Sequence, residues 1–317
     1  MGSIEHGSTI RRILVLGDNR LSESIIHGIS QQGLDVHHVT HSAPTEHEHS
    51  GVTIHKSDST PGALKSLLLD VNPDLVFSTQ ASGSYDFQKQ IIDSAIEADV
   101  KRFIPPEFSQ DALNEQIQHR LPPVKERART IQYLQEQSSN GKIEWVAIAT
   151  GSSLEHAIIS GNIGFDLQWQ SATIHGTGKE RFPASSTAWD GRAAAAVIER
   201  WDEVKNQYLY ASGMTTDTNE ILEQLQSTTG QKWEKGSMGV EDILHEAERR
   251  FERGFPDAGM FLMERSVLFD DKLDAVKPFV EKDAKQVLGL EAEGLESLIK
   301  KVIHDYKHHG KGGCGCD

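Results

Sequence analysis

The stretch ILVLGDNRLSESII, residues 13–26, changes its periodicity half-way along. Its first four residues are all apolar, which suits a short strand buried on both faces better than one with a wet face. Gly17 ends that run. Ile25, Ile26 and Ile29 then recur at helical spacing, so a helix is predicted over residues 22–32. The same unit returns along the chain. GLDVHHVTH reads as a second strand burying Val36 and Val39, VTIHK as a third, PGALKSLLLD as a helix opened by proline, and PDLVFST as a fourth strand. Residues 85–98 carry Ile91, Ile92, Ala95 and Ile96 on one helical face, and VKRFIPPEF is a strand stopped by two prolines that cannot continue a ladder. A helix over residues 124–137 then precedes KIEWVAIATG, whose residues 146–149 suit a central strand. This alternation predicts an α/β fold with a doubly wound, mostly parallel sheet covered on both faces.

After Gly151 the signals change. SATIHGTG reads as a small strand and turn, DGRAAAAVIERW as a helix, and NQYLYASG as a strand that returns to the main sheet. DTNEILEQLQSTTG is a capped amphipathic helix, and residues 241–251 and 290–306 are helical in pattern. The organisation expected is a Rossmann-type domain over residues 1–152, rejoined by about 206–230. Residues 153–205 and 231–308 form a smaller, helix-rich substrate lobe over the carboxyl ends of the strands, and residues 309–317 a glycine-rich flexible tail.

Composition narrows the function. The 317 residues carry a net charge of −15 with 37% hydrophobic and 25% charged residues, which disfavours nucleic acid as a partner and suits a small molecule. No apolar run approaches the length of a membrane span, and MGSIEHGSTIRR lacks the apolar core of a leader, so a cytoplasmic location is expected. A monomer or homodimer is expected, with no feature of the sequence choosing between them. The two cysteines, Cys314 and Cys316, sit in the tail; His41, His47, His49 and His55 fall in a polar loop region with no spacing that gathers them. No metal site is expected from either.

A glycine turn between a first strand and helix lets backbone N–H groups approach a pyrophosphate, which the helix N-terminus attracts. Gly17 meets that condition. Arg20 and Glu23 add bulk further on; Arg20 can reach a phosphate, while Glu23 can occupy the positive end of the helix itself. Ser22 offers a cap. The second strand ends in Val39, Thr40, His41 and Ser42, with neither the acidic residue that selects NAD nor the arginine that selects NADP. Ser78, Thr79 and Gln80 line the end of the fourth strand, where they can meet a cofactor or satisfy their own turn. Either a bound nicotinamide nucleotide, with NADP preferred, or a Rossmann scaffold with a repurposed cleft follows from these residues.

Lys125 opens a helix behind two prolines, from which its length reaches a cleft; the plain alternative is an exposed lysine among Arg127 and Arg129. Glu107 either holds the FIPPEF loop or meets substrate. Tyr85 and His156 are acid or base candidates, and Phe108, Phe165 and Trp169 form either an aromatic-binding wall or ordinary core.

Taken in order, VLGDNRLSESII, VKRFIPPEFSQD, LPPVKERARTIQYL, EWVAIATGSSLEHAI, GNIGFDLQWQSATIHGTG and NQYLYASGMTTDTNEILEQLQSTTGQKWE resemble the isoflavone-reductase-like, NmrA-like family of atypical short-chain dehydrogenases, its fungal members in particular. With a weaker echo in AKQVLGLEAEGLESLIKKVI, the resemblance spans residues 11–301. It implies an oxidoreductase of secondary metabolism that binds NADPH in the Rossmann domain and an aromatic, phenolic or polyketide-like molecule in the lobe. It also implies Gly17, Asn19, Arg20 and Leu21 at the pyrophosphate, His41 and Ser42 near the adenosine ribose, and Ser78, Thr79 and Gln80 at the middle of the cofactor. Lys125 takes the place of the family's active-site lysine, which binds the nicotinamide ribose and handles the proton.

The departures are specific. Of the family's three turn glycines Gly17 remains, with Arg20 and Glu23 near the other two positions; His41 replaces an arginine, Pro106 a serine, and Ser109 a glycine. Two other functions therefore stand beside the reductase. One is a cyclase, isomerase or dehydratase using the same pocket without a cofactor, with Lys125, His156 and Glu107 as its acid and base. The other is an NmrA-like regulatory protein that binds a nucleotide without turnover.

Overall fold

The computed structural model describes residues 9–41, 51–57, 60–80 and 84–309. Ser42, His47, His49, Cys314 and Cys316 lie outside the described residues. The first half runs β1 (Arg12–Leu16), α1 (Arg20–Ser30), β2 (Asp35–Thr40), β3 (Val52–Lys56), α2 (Pro61–Val71), β4 (Leu75–Ser78) and α3 (Tyr85–Glu97). It continues through β5 (Arg102–Ile104), α4 (Glu115–Arg120), α5 (Pro122–Ser139) and β6 (Glu144–Ala149). The second half opens with β7 (Ser152–Ser153), α6 (Leu154–Ile159), β8 (Phe165–Asp166), β9 (Ser171–His175), β10 (Phe182–Ser185), α7 (Thr187–Glu199) and α8 (Trp201–Val204). Then come β11 (Gln207–Tyr210), β12 (Met214–Thr216), α9 (Thr218–Thr229), β13 (Glu234–Met238), α10 (Val240–Glu252), α11 (Pro256–Leu268), α12 (Lys277–Glu281), α13 (Lys285–Leu288) and α14 (Leu295–His309).

Seven strands form a parallel sheet in the order β11-β6-β5-β4-β1-β2-β3, so the strand order reverses between β1 and β4. The fold is Rossmann-type α/β, with a smaller lobe built on two three-stranded sheets, β12-β10-β7 and β13-β9-β8. Ile13, Leu14 and Val15 are wholly buried, as a strand covered on both faces requires. Helix α1 starts at Arg20, two residues before the predicted position. Asn19 Oδ1 accepts from the N–H groups of Leu21 and Ser22, and Ser22 Oγ accepts from the Asn19 N–H, a closed capping box that fixes the start.

The two halves interleave more than the sequence suggests. Helix α7, expected in the lobe, lies on the Rossmann core, where Trp189, Ala193, Ala194 and Val197 pack with Ile25, Ile29 and Val146. The reason is steric. A Cβ on Gly28 would lie 2.3 Å from the Gly191 carbonyl oxygen, and one on Gly191 would lie 2.2 Å from that of Ser24, so α1 and α7 touch backbone to backbone. Conversely β12 and α9, expected in the main domain, bury Met214, Ile221, Leu222 and Leu225 in the lobe with Phe165 and Phe182. The predicted helix over residues 290–306 begins only at Leu295, because Gly289 ends α13 in the left-handed region. Among the described residues no helix is long and apolar enough to cross a membrane, and no three His, Cys, Asp or Glu side chains gather as metal ligands.

Candidate functional site

The reversal of strand order between β1 and β4 opens a crevice at the carboxyl edge of the sheet, where α/β proteins of this topology bind ligands. Gly17 forms its floor. Its φ is 123°, and a Cβ there would lie 2.3 Å from Thr79 Oγ1, so no side chain fits between the two strand ends. Asn19 Nδ2 donates to the Thr79 carbonyl at 2.8 Å, tying the turn to β4. Thr79 Oγ1 donates to the Leu16 carbonyl, and the fully buried Ser78 donates to Gln88 Oε1 at 3.1 Å. Both hydroxyls are thus engaged in holding the crevice together. At its rim Gln80 Nε2 stands 2.9 Å from His41 Nε2, a bridge between the ends of β4 and β2. Leu21 packs against the sheet core. Because Asn19 takes the N–H groups of Leu21 and Ser22, the positive charge at the mouth of the turn rests on Arg20.

Arg20 reaches across to the lobe. Its guanidinium meets Nδ1 of His156 on α6, a contact between residues 136 apart in the chain. Burial first, and the Arg20 charge second, hold the His156 imidazole below the usual histidine range. The neighbouring Glu155 faces elsewhere, accepting from the Thr187 N–H and from Lys301 Nζ, each at 3.0 Å.

Lys125 lies in the first turn of α5, behind Pro122 and Pro123, and is exposed without a hydrogen bond or ion pair among the described residues. Its neighbour Val124 anchors that turn against Ala112, Met260 and Met263. Glu107 is 1% exposed and accepts from Arg127 Nε and from the Tyr208 hydroxyl, each at 3.1 Å, while Arg127 also donates to the Gln110 carbonyl. Burial raises the Glu107 carboxyl, and Arg127 and Tyr208 oppose that rise. This arrangement binds the FIPPEF loop to α5 and β11. Tyr85 is half-buried, its ring 4.1 Å beneath the Arg129 guanidinium and edge-on to Tyr133. The three candidate wall aromatics do not converge: Phe108 packs on the sheet core, Phe165 lies in the lobe core against Trp233, and Trp169 is 74% exposed.

No family model matches the sequence. Oxidoreductase aprR of Aspergillus flavus is 30% identical over 259 residues, covering 80% of this chain and 85% of that protein. Among solved structures, isoflavone reductase superposes with a TM-score of 0.70 at 17% identity over 92% of this chain and 99% of that one. The leucoanthocyanidin reductase–NADPH complex of Vitis vinifera superposes equally well, at 0.70 with 15% identity and the same coverage. The chain belongs to the isoflavone-reductase-like, NmrA-like superfamily. In this superfamily member α7 and β11 are part of the Rossmann core, so residues of the second half of the chain help to build the sheet domain.

Three titratable groups of this superfamily member escaped the sequence reading. Asp190, in the first turn of α7, is buried beside Thr150; burial pushes its carboxyl up to about 7, helped by the charges of Glu293 and Glu155. Its Oδ1 has no hydrogen-bond partner among the described residues. His175 is fully buried, stacked on Phe269 at 4.7 Å, with neither ring nitrogen hydrogen-bonded among the described residues; burial and Arg265 bring it down to about 4. Glu264 on α11 is exposed, yet desolvation raises its carboxyl against the pull of Arg127. In sequence, an acid in a first helical turn and a histidine in a short strand look like surface residues.

Proposed function

We propose that the chain is an atypical NADPH-dependent reductase of the fungal branch of its superfamily, acting on an aromatic, phenolic or polyketide-like small molecule. The observation that carries this reading is the β1–α1 turn: Gly17 held open beside Thr79, with Arg20 at the mouth of the helix N-terminus. The residues present fit a dinucleotide, provided that side chains replace the missing glycines. Gly17 allows close backbone approach, Asn19 and Leu21 shape the turn, and Arg20 supplies charge. Ser78, Thr79 and Gln80 support the floor at the end of β4, with His41 toward the adenosine ribose. The relatives support this reading, one being an oxidoreductase and another a reductase in complex with NADPH.

NADPH, when bound, supplies the hydride. The protein orients the reacting carbon and excludes water between sheet edge and lobe. Lys125 would bind the ribose and deliver a proton to the substrate oxygen, a role suited to an ammonium that has no hydrogen bond or ion pair among the described residues. Glu107 positions the loop through Arg127 and Tyr208, and Tyr85 supports α5 through Arg129.

A second reading has its own observation. Asn19 already saturates two N–H groups that a pyrophosphate would use, which favours a non-redox cyclase, isomerase or dehydratase in the same cleft. Calorimetric titration of the purified chain with NADPH, NADH and NADP+ separates the two. Tight NADPH binding, followed by NADPH consumption with a panel of aromatic carbonyls and enones, supports the reductase; absence of binding by all three nucleotides overturns it.

A further inference from the structure

The contact between Arg20 and His156 joins the turn of one half of the molecule to α6 of the other, and its chemistry is unusual. A guanidinium has only donors, so it can meet Nδ1 only if that nitrogen presents its lone pair. His156 must therefore be neutral, with its proton on Nε2. Protonation would leave two cations facing one another at the mouth of α1, itself the positive end of a helix dipole.

We infer that His156 is a phosphate-binding residue: the pyrophosphate of the dinucleotide enters between Arg20 and His156, replaces their mutual contact with one contact to each, and draws a proton onto His156 as it binds. This inference rests on the NADPH reading given above. Nothing covalent changes. One proton passes from solvent to Nδ1, which turns from acceptor to donor, and an anion separates two cations that would otherwise repel.

Three observations support it. Arg20 of the turn and His156 of α6 are both exposed where they meet, so an anion can reach the pair from solvent, and burial of the ring together with the Arg20 charge keeps the imidazole neutral until one arrives. The capping box leaves α1 without two of its free N–H groups, so an anion there needs side-chain donors, and a second one opposite Arg20 completes a clamp. The charges around α6 are otherwise occupied: Glu155 on α6 is held by Thr187 and Lys301 of α14, Asp190 of α7 is hydrogen-bonded to Thr150, and Asp166 of β8 accepts from the Gln168 and Trp169 N–H groups. Arg20 is the one charge that shifts the ring.

The test is the number of protons taken up on binding. The full chain is titrated calorimetrically with NADPH near pH 7 in two non-phosphate buffers of different ionisation enthalpy. Wild type is expected to take up roughly half a proton or more beyond His156→Asn, and the variant to bind about tenfold more weakly at pH 6.5. The proton on the 2′-phosphate of the cofactor contributes equally to both proteins and cancels. As an independent measurement, Arg20→Ala in the free protein should move the His156 ring titration, followed by NMR, upward. Equal proton uptake by wild type and His156→Asn overturns the inference while leaving the cofactor reading intact. Failure of wild type to bind NADPH in any buffer overturns both.

Discussion

Arg127 donates from Nε to the Glu107 carboxylate at 3.1 Å where Glu107 is 1% exposed, a buried ion pair that also takes in the Tyr208 hydroxyl. Removing one partner leaves the other desolvated and uncompensated. Arg127→Met is expected to destabilise the fold by about 3–5 kcal/mol, measured by urea unfolding. Without Arg127, burial raises Glu107 further, so the deficit should grow as pH rises and shrink in mild acid, where Glu107 takes a proton.

Gly191→Ala tests the backbone contact between α1 and α7. The added methyl would sit 2.2 Å from the Ser24 carbonyl, so the helices must part, at a cost of about 1–3 kcal/mol. Thermal unfolding reads the loss. Gly28→Ala should act through the same joint, and the double variant should cost less than the sum of the two.

Asp190 and His175 should tilt stability in opposite directions with pH. The Asp190 carboxyl is raised from 3.8 to about 7: the folded state keeps a proton that the unfolded chain releases, so its contribution is full below pH 3.8 and is lost as pH rises to 7. Asp190→Asn should therefore gain stability over wild type, by up to about 4 kcal/mol above pH 7, with the gain fading toward pH 4. His175 is lowered from 6.5 to about 4, so its contribution is present above pH 6.5 and lost as pH falls to 4. His175→Gln should flatten that acid limb. Unfolding curves collected from pH 4 to pH 8 decide both, and unchanged slopes would refute them.

Lys125→Ala should leave unfolding unchanged, because the side chain is exposed and holds no partner among the described residues. Turnover of an accepted carbonyl substrate should fall by about 10²–10⁴-fold, as expected for a lost proton donor. A stable variant with normal turnover would remove Lys125 from the mechanism.

The elements most legible in the sequence were those whose signal is local. Four apolar residues ending at Gly17, two prolines after Ile104 and the isoleucines of α3 each predicted a strand or helix where one stands. Helix α11 was not anticipated. Its run MFLMERSVL has no clean polar face, because it is half-buried along much of its length between α4, α5 and α10, and a periodicity signal needs one wet side. The turn was read in part: Gly17 and Arg20 stood out, whereas the cap that Asn19 provides did not, since it depends on a side chain folding back onto its own helix.

The sequence by itself therefore determined the alternation of strands and helices through β6, the parallel sheet and the place of the crevice, because these follow from short-range periodicity and turn chemistry. Tertiary structure alone decided which half of the molecule α7 and α9 join, which side chains shelter Glu107, and that Arg20 meets His156. Each of these brings together groups far apart in the chain. Their pairing is set by packing volume, the close approach of two glycine-bearing helices and the desolvation of charge, none of which leaves a mark on neighbouring residues.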